Sequence, residues 1–274
     1  MSRAAIRAAA LAAAGGLAAW AGWIEPRRLV TVHRRLELPN WPAELNGVRV
    51  GVLSDLHAGA PHAGLPQIAR AVERLNLEAP DVAVLLGDYI DAHPLWGGRI
   101  TPELIARELA ALRAPLGTFA VLGNHDWRQA GGRMWSALQN AGIEVLENRA
   151  AKAGDLYVAG LADLRCRRPD LPGALSGVPG DAPVIVLAHD PDVFPYMPDR
   201  VALTLSGHTH GGQVAIPLLR RPAIPSRYGE RYARGHVVEE RRHLYVTSGL
   251  GTSGLPVRLL APPEVVVLEL AASK

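Results

Sequence analysis

Short apolar runs that stop abruptly at polar, glycine-containing turns recur along most of this chain. Val48–Leu53 has the length and β-branched content of a buried strand and stops at Ser54-Asp55-Leu56-His57. Apolar positions at Leu65, Ile68, Ala69, Val72 and Leu75 follow a 3.6-residue period and predict a helix over 65–77, stopped by Pro80. A strand over 81–86 ends in Gly87-Asp88. After a loop at 93–101, a helix over 102–112 turns Leu104, Ile105 and Leu109 inward. The run 116–122 then closes in Gly123-Asn124-His125-Asp126-Trp127.

The same rhythm continues with a short helix over 134–141 and strands over 143–146 and 156–160, the latter followed by Asp163. Residues 165–181, rich in proline and glycine, read as a surface loop. Val184–Ala188 runs into His189, and Val201–Leu205 into Gly207-His208-Thr209-His210-Gly211-Gly212. Strands over 244–247 and 265–270 complete a second sheet packed on the first. Strand–helix–strand repetition predicts an α/β layered core whose functional loops sit at the strand C-terminal ends. Residues 26–42 read as a linker and edge strand (29–38), and 43–274 as one α/β domain.

Residues 1–25 break this pattern. Arg3 and Arg7 precede Ala8–Ile24, seventeen residues without a charge, mostly alanine, with Leu17, Trp20 and Trp23 as the membrane-facing weight. The segment reads as an uncleaved anchor, a cleaved signal peptide, or a soluble or surface-lying helix. Tryptophans and Pro26 intrude where a cleavage site would need small residues. The composition favours membrane attachment. Its side stays open, because Arg27, Arg28, Arg34 and Arg35 compete with Arg3 and Arg7 for the cytoplasmic face.

Composition changes the picture little. The 274 residues suffice for a sizeable core, and 29 Lys+Arg against 26 Asp+Glu leave a net charge of +3. No basic block interleaved with aromatics marks a nucleic-acid surface, so no nucleic-acid partner is expected, and no protein partner is implied. Cys166, the only cysteine, excludes an internal disulfide and a thiolate cluster. Nearby arginines can lower its thiol pKa, but no partner base is evident, and it reads as a bystander.

The strand-end residues carry the chemistry. Asp55 and His57, two apart, can converge on one ion if the backbone stays extended; taken alone, they read rather as a solvated pair at a strand terminus. The glycine before Asp88 permits close backbone approach. His208 and His210 sit in a glycine-rich loop past a buried strand, well set to hold metal. Mixed carboxylate and imidazole donors suit Mn, Zn or Fe, whereas Mg favours all-oxygen sites. His33, His62, His93, His236 and His243 have no motif around them and read as surface or structural.

Asp55-x-His57, Gly87-Asp88, Gly123-Asn124-His125-Asp126, His189 and Gly207-His208-x-His210 resemble, in order over residues 48–212, the five motifs of the calcineurin-like metallophosphoesterase superfamily. Gly211-Gly212-Gln213 and Pro225-Ser226-Arg227-Tyr228-Gly229 resemble its bacterial YkuE/YaeI-like phosphodiesterase branch. The resemblance implies a four-layer sandwich, two mixed sheets flanked by helices. It implies a centre of two divalent metal ions, with Mn the first choice. Asp55, His57 and His210 would hold one ion, Asn124, His189 and His208 the other, and Asp88 would bridge. His125 would stabilise the phosphoryl group or protonate the leaving group, and Asp126 would orient an imidazole or cap the following helix.

The implied reaction is phosphodiester hydrolysis by a two-metal-activated hydroxide attacking phosphorus in line. The substrate would be a small-molecule or lipid-linked phosphoester. One alternative is a membrane-associated pyrophosphatase of a substrate such as UDP-2,3-diacylglucosamine; another is a non-enzymatic, membrane-tethered metal- or phosphate-binding protein. The apolar, proline-broken stretch 214–225 reads as a rim dipping into lipid headgroups or as a loop covering the sheet edge. Gly249 and Gly251 read either as N–H donors to the centre or substrate, or as a tight turn.

Overall fold

Two six-stranded sheets take up the apolar runs. The computed structural model describes residues 2–91, 93, 100–216 and 224–273. The strands are β1 (Val30–Leu38), β2 (Arg49–Leu53), β3 (Val82–Leu85), β4 (Thr118–Ala120), β5 (Glu144–Val145), β6 (Arg149–Ala153), β7 (Leu156–Gly160), β8 (Val184–Leu187), β9 (Leu203–Ser206), β10 (Gly235–Glu239), β11 (Arg242–Val246) and β12 (Glu264–Ala272). The first sheet has the order β1-β12-β2-β3-β4-β5 and the second β10-β11-β9-β8-β7-β6. Both are mixed. β2 to β5 run parallel with β12 antiparallel to β2, and β7, β8, β9 and β11 run parallel between two antiparallel edges.

The central strands are buried on both faces, so their sequences are continuous apolar runs rather than alternations. Val50, Val52, Val82 and Val84 meet Val158, Ile185, Leu203 and Leu205 between the sheets. Leu53 and Leu85 face the helices α2 (Leu65–Leu77), α3 (Pro102–Leu109) and α5 (Gly131–Asn140). Ile68, Val72 and Leu75 of α2 are buried there, each contributing about 2 kcal/mol of apolar burial. On the far face Val184, Val186, Leu244 and Val246 pack against Phe194, Tyr232 and the short α6 (Leu171–Leu175). The result is four layers, two sheets flanked by helices.

Several expectations need correcting. β12 does not join the second sheet; it lies inside the first, between β1 and β2. Val266 and Leu268 point between the sheets and Val265 and Val267 toward the helices, a pattern that hydropathy cannot assign to either sheet. β6 and β10 are additional edge strands, and α6 interrupts the loop expected over 165–181. In α3, Ala106 is buried while Leu104 is only half-buried. The helix expected at 134–141 starts at Gly131, and a further helix, α4 (Asn124–Gln129), begins inside the last polar turn of the first sheet. Most of the loop expected at 93–101, and 217–223 of the apolar stretch, lie outside the described residues.

The N-terminal helical run Arg3–Arg27 spans 25 residues and is long and apolar enough to cross a membrane. Its first part, α1 (Arg3–Ala19), buries no side chain. Its base is fastened to the domain. The Arg258 N–H donates to the Ala21 carbonyl at 2.9 Å, and His62 Nε2 lies 2.9 Å from the Gly22 carbonyl. Glu25, buried, accepts from the Ala261 N–H at 2.9 Å and from Trp20 Nε1–H at 2.7 Å.

Candidate metal centre

The parallel strands of both sheets deliver their polar turns to one edge, and two groups of potential ligands meet there. Asp55, His57 and His210 each offer a donor atom within 4.8 Å of the others, as do Asp88, His189 and His208. In the first group His57 Nε2 and His210 Nε2 are 3.1 Å apart, and His210 Nε2 lies 3.5 Å from Asp55 Oδ1. In the second, His189 Nε2 is 3.1 Å from His208 Nδ1 and 3.2 Å from Asp88 Oδ2. The same Asp88 oxygen is 3.7 Å from His57 Nε2, so Asp88 lies between the groups. Donor atoms about 2.0–2.2 Å from a shared ion are about 3.0–3.5 Å apart, close to most of these separations.

Unspent donors point the same way. Asn124 Oδ1 is buried and has no hydrogen-bond partner among the described residues. Burial, then the neighbouring His189, drives the His208 pKa well down; burial and His57 do the same to His210. Both rings are thereby held neutral. Burial opposes charge on His189 too, but Asp88 together with Asp55 and Asp163 raises its pKa well above the ordinary value. Burial likewise opposes charge on Asp88, and His189, His57 and His125 together hold it well below the usual carboxylate range. His189 Nδ1 sits 2.7 Å from the Leu86 carbonyl, which fixes its N–H there and leaves Nε2 facing Asp88. Buried imidazoles, those of His208 and His210 held neutral, converge with the ionised carboxylate of Asp88, and this mixed donor set fits divalent metal.

His125 stands at the rim. Its ring is 4.7 Å from that of His57, edge to face, and its backbone N–H donates to Asp88 Oδ1 at 2.8 Å. Burial keeps its pKa below the ordinary value despite the pull of Asp88. Of the two roles expected of Asp126, its hydrogen bonds are those of the helix cap. One of its oxygens accepts from the N–H groups of Asp88 and Gly123, at 2.8 and 2.9 Å, and the other from those of Tyr89 and Ile90. It clamps the backbone of the Asp88 turn and caps α4.

Two glycines are dictated by proximity. A Cβ on Gly123 would lie 2.2 Å from Asp88 Oδ1, and one on Gly207 would lie 2.4 Å from Asp55 Oδ2. The Gly249–Gly251 turn backs the ligands instead of presenting N–H groups to them. Gly251 N–H donates to the Asp55 carbonyl at 2.6 Å and Gly249 N–H to Thr247 Oγ1 at 3.1 Å.

That turn is held by Arg258, which the sequence did not single out. Fully buried, it donates to the carbonyls of Ser248, Gly251 and Ala261 at 2.8, 2.5 and 2.7 Å. Asp91 and Asp190 were also missed; they lie 3.8 Å from His57 Nδ1 and 3.7 Å from His208 Nε2. Their only signal was position, each a few residues after a strand end. Asp163 Oδ2 accepts from the N–H groups of Arg165 and Cys166 and shapes the turn after β7. Burial, then Asp163, pushes the Cys166 thiol up, so the neighbouring arginines do not make it reactive.

A profile of the family described as calcineurin-like phosphoesterase matches residues 48–212. Over the full length, the chain is 32% identical to the "Uncharacterized metallophosphoesterase YkuE" of Bacillus subtilis, covering 98% of this chain and 94% of that one. It is 33% identical to the "Transmembrane protein with metallophosphoesterase domain" of Danio rerio, over 88% of this chain and 56% of that one. It is 28% identical to the "UDP-2,3-diacylglucosamine pyrophosphatase LpxG" of Chlamydia trachomatis, over 91% of each chain.

Proposed function

The chain belongs to the calcineurin-like phosphoesterase family, a metal-dependent hydrolase, and we propose that it is a membrane-associated phosphodiesterase acting on a phosphoester that carries an apolar arm. Asp55, His57 and His210 would hold one divalent ion, Asn124, His189 and His208 a second, and Asp88 would serve both. The shared position of Asp88 Oδ2 between His57 and His189 is the observation that carries this reading. Mn is the first choice of metal, with Zn or Fe as alternatives. Such a pair supplies Lewis acidity toward phosphoryl oxygens and lowers the pKa of water.

The chain's own groups do the rest. His125, kept neutral by burial beside the ligands, is the group to stabilise the phosphoryl oxygens or hand a proton to the leaving oxygen. Asp126 fixes the Asp88 turn from beneath.

The membrane reading rests on what surrounds the centre. A cavity of about 310 Å³ opens over His208 and His210 and is walled by Val214, Pro225, Leu255 and Val257. The same stretch carries Leu255, 71% exposed, and Leu260, 55% exposed, and Arg258 within it grips the base of the N-terminal helix at Ala21. The apolar wall, the exposed leucines and Trp23 therefore belong to one region of the molecule. An amphiphilic substrate fits that arrangement. The pyrophosphatase activity named for the Chlamydia relative keeps a lipid-linked pyrophosphate as the second reading.

Hydrolysis of bis-p-nitrophenyl phosphate by Mn-loaded protein tests the core of the proposal. Asp88→Asn and His208→Ala should each lower kcat by about a thousandfold or more and reduce bound metal. Folded, metal-loaded wild type inert toward every phosphoester would instead favour a metal- or phosphate-binding protein. A pyrophosphate lipid in liposomes, compared with soluble nucleotides at equal concentration, then separates the substrate classes.

A further inference from the structure

A second cavity, about 530 Å³, adjoins the one over the metal centre, and Pro225 lines both. Three arginines, Arg128, Arg165 and Arg227, contribute to its wall together with Asp190 and Asp192. The two acids are nearly inaccessible, at 2% and 4% exposed, and are fully engaged. Asp190 accepts from Arg165 Nε at 2.8 Å and from the Asp192 N–H at 3.0 Å. Asp192 accepts from the Ser226 hydroxyl at 2.5 Å and from the Arg227 N–H at 2.8 Å.

The arginines, by contrast, are exposed, and neither Arg128 nor Arg227 forms an ion pair among the described residues. Arg165 is braced from two sides, by Asp190 and by the Pro225 carbonyl. The accessible face of the cavity is therefore cationic, with its carboxylates turned inward. Like charges held together repel, and a bound anion relieves that cost.

The cavity is tied to the reaction site at two points. Asp190 Oδ2, which holds Arg165, lies 3.7 Å from His208 Nε2. Arg128 sits on α4, one helical turn beyond Asn124. We propose that this pocket is a subsite for a second phosphoryl group of the substrate, recognised by Arg128, Arg165 and Arg227 while the reacting phosphorus lies at the metal ligands. Guanidinium forks match the oxygens of a phosphate bidentately. The inference rests on the phosphoesterase reading and narrows it, from phosphodiesters in general to substrates with two linked phosphates, pyrophosphates above all.

Calorimetry with Mn-loaded full-length protein tests it, using methylenediphosphonate against methylphosphonate as non-hydrolysable probes. Wild type should bind the diphosphonate at least about tenfold more tightly, and Arg128→Ala/Arg227→Ala should remove most of that preference. Arg128→Lys/Arg227→Lys should restore part of it. In kinetics, the double alanine variant should raise KM for a pyrophosphodiester at least about tenfold more than KM for bis-p-nitrophenyl phosphate. A preference unchanged by the double substitution, or equal losses for both probes, overturns the subsite. Arginine-dependent diphosphonate binding by a wild type that hydrolyses nothing would overturn the catalytic reading and leave the subsite standing.

Discussion

Asp55, His57, Asp88, His208 and His210 share an unusual backbone: their φ angles are 51°, 43°, 54°, 68° and 52°. Residues with a Cβ seldom occupy the left-handed region, and each such residue costs roughly 1–3 kcal/mol unless its surroundings enforce it. The enforcement is visible. The His208 N–H donates to both oxygens of Asp55 at 3.0 Å, and Asp126 holds the turn that carries Asp88. Asp126→Asn should therefore act through the backbone. It turns one acceptor oxygen into a donor facing buried N–H groups, which should cost about 2–4 kcal/mol in urea unfolding. Metal affinity should fall with it, because the Asp88 turn loses its clamp. Lost activity with unchanged stability and metal content would contradict the clamp and return Asp126 to a direct role in the chemistry.

Among elements, the turn after β11 does the most for the centre while contributing no ligand. Arg258 ties together Ser248, Gly251 and Ala261, and through its own N–H the base of the N-terminal helix. Arg258→Met would leave those carbonyls buried and unpaired. The expected loss is about 3–5 kcal/mol, read by urea unfolding, with weaker metal retention on dialysis. A variant as stable as wild type would show that the carbonyls find other partners and the hub is dispensable.

None of this was legible in the sequence, where Val257-Arg258-Leu259 looks like any surface arginine between apolar neighbours. What was legible was the set of buried strands, because burial on both faces writes itself as Val82-Ala83-Val84-Leu85, and the polar residues that end them. β6 stayed hidden because Arg149-Ala150-Ala151-Lys152-Ala153 has no β-branched residue, and β10 because it alternates in exposure along a sheet edge. α4 stayed hidden because Asn-His-Asp-Trp-Arg-Gln carries no apolar period. Its helix is set by the Asp126 cap and by contacts with the Asp88 turn, which are tertiary facts.

At the scale of the molecule, the N-terminal segment divides into a part that buries no side chain and a part that is built into the domain. α1 buries no side chain, whereas Ala21, Gly22 and Glu25 bond to Arg258, His62 and Ala261. The boundary that hydropathy suggests, after residue 25, thus cuts through a docked turn. Removing residues 2–19 should change unfolding stability by no more than about 0.5 kcal/mol, since it uncovers no packed surface. Glu25→Ala should cost about 1–3 kcal/mol, because the Ala261 N–H and the Trp20 indole lose their acceptor.

The same pair of variants addresses the membrane. With α1 as the anchor, the 2–19 deletion should abolish flotation with phospholipid vesicles and leave turnover of bis-p-nitrophenyl phosphate intact. It should slow hydrolysis of a vesicle-borne pyrophosphate lipid by about tenfold or more, since the enzyme then meets its substrate only from solution. Glu25→Ala should still float. Vesicle binding that survives the deletion would move the attachment to the exposed leucines beside the cavity, and equal loss of soluble and vesicle-borne turnover would mean that α1 serves the fold, not the membrane.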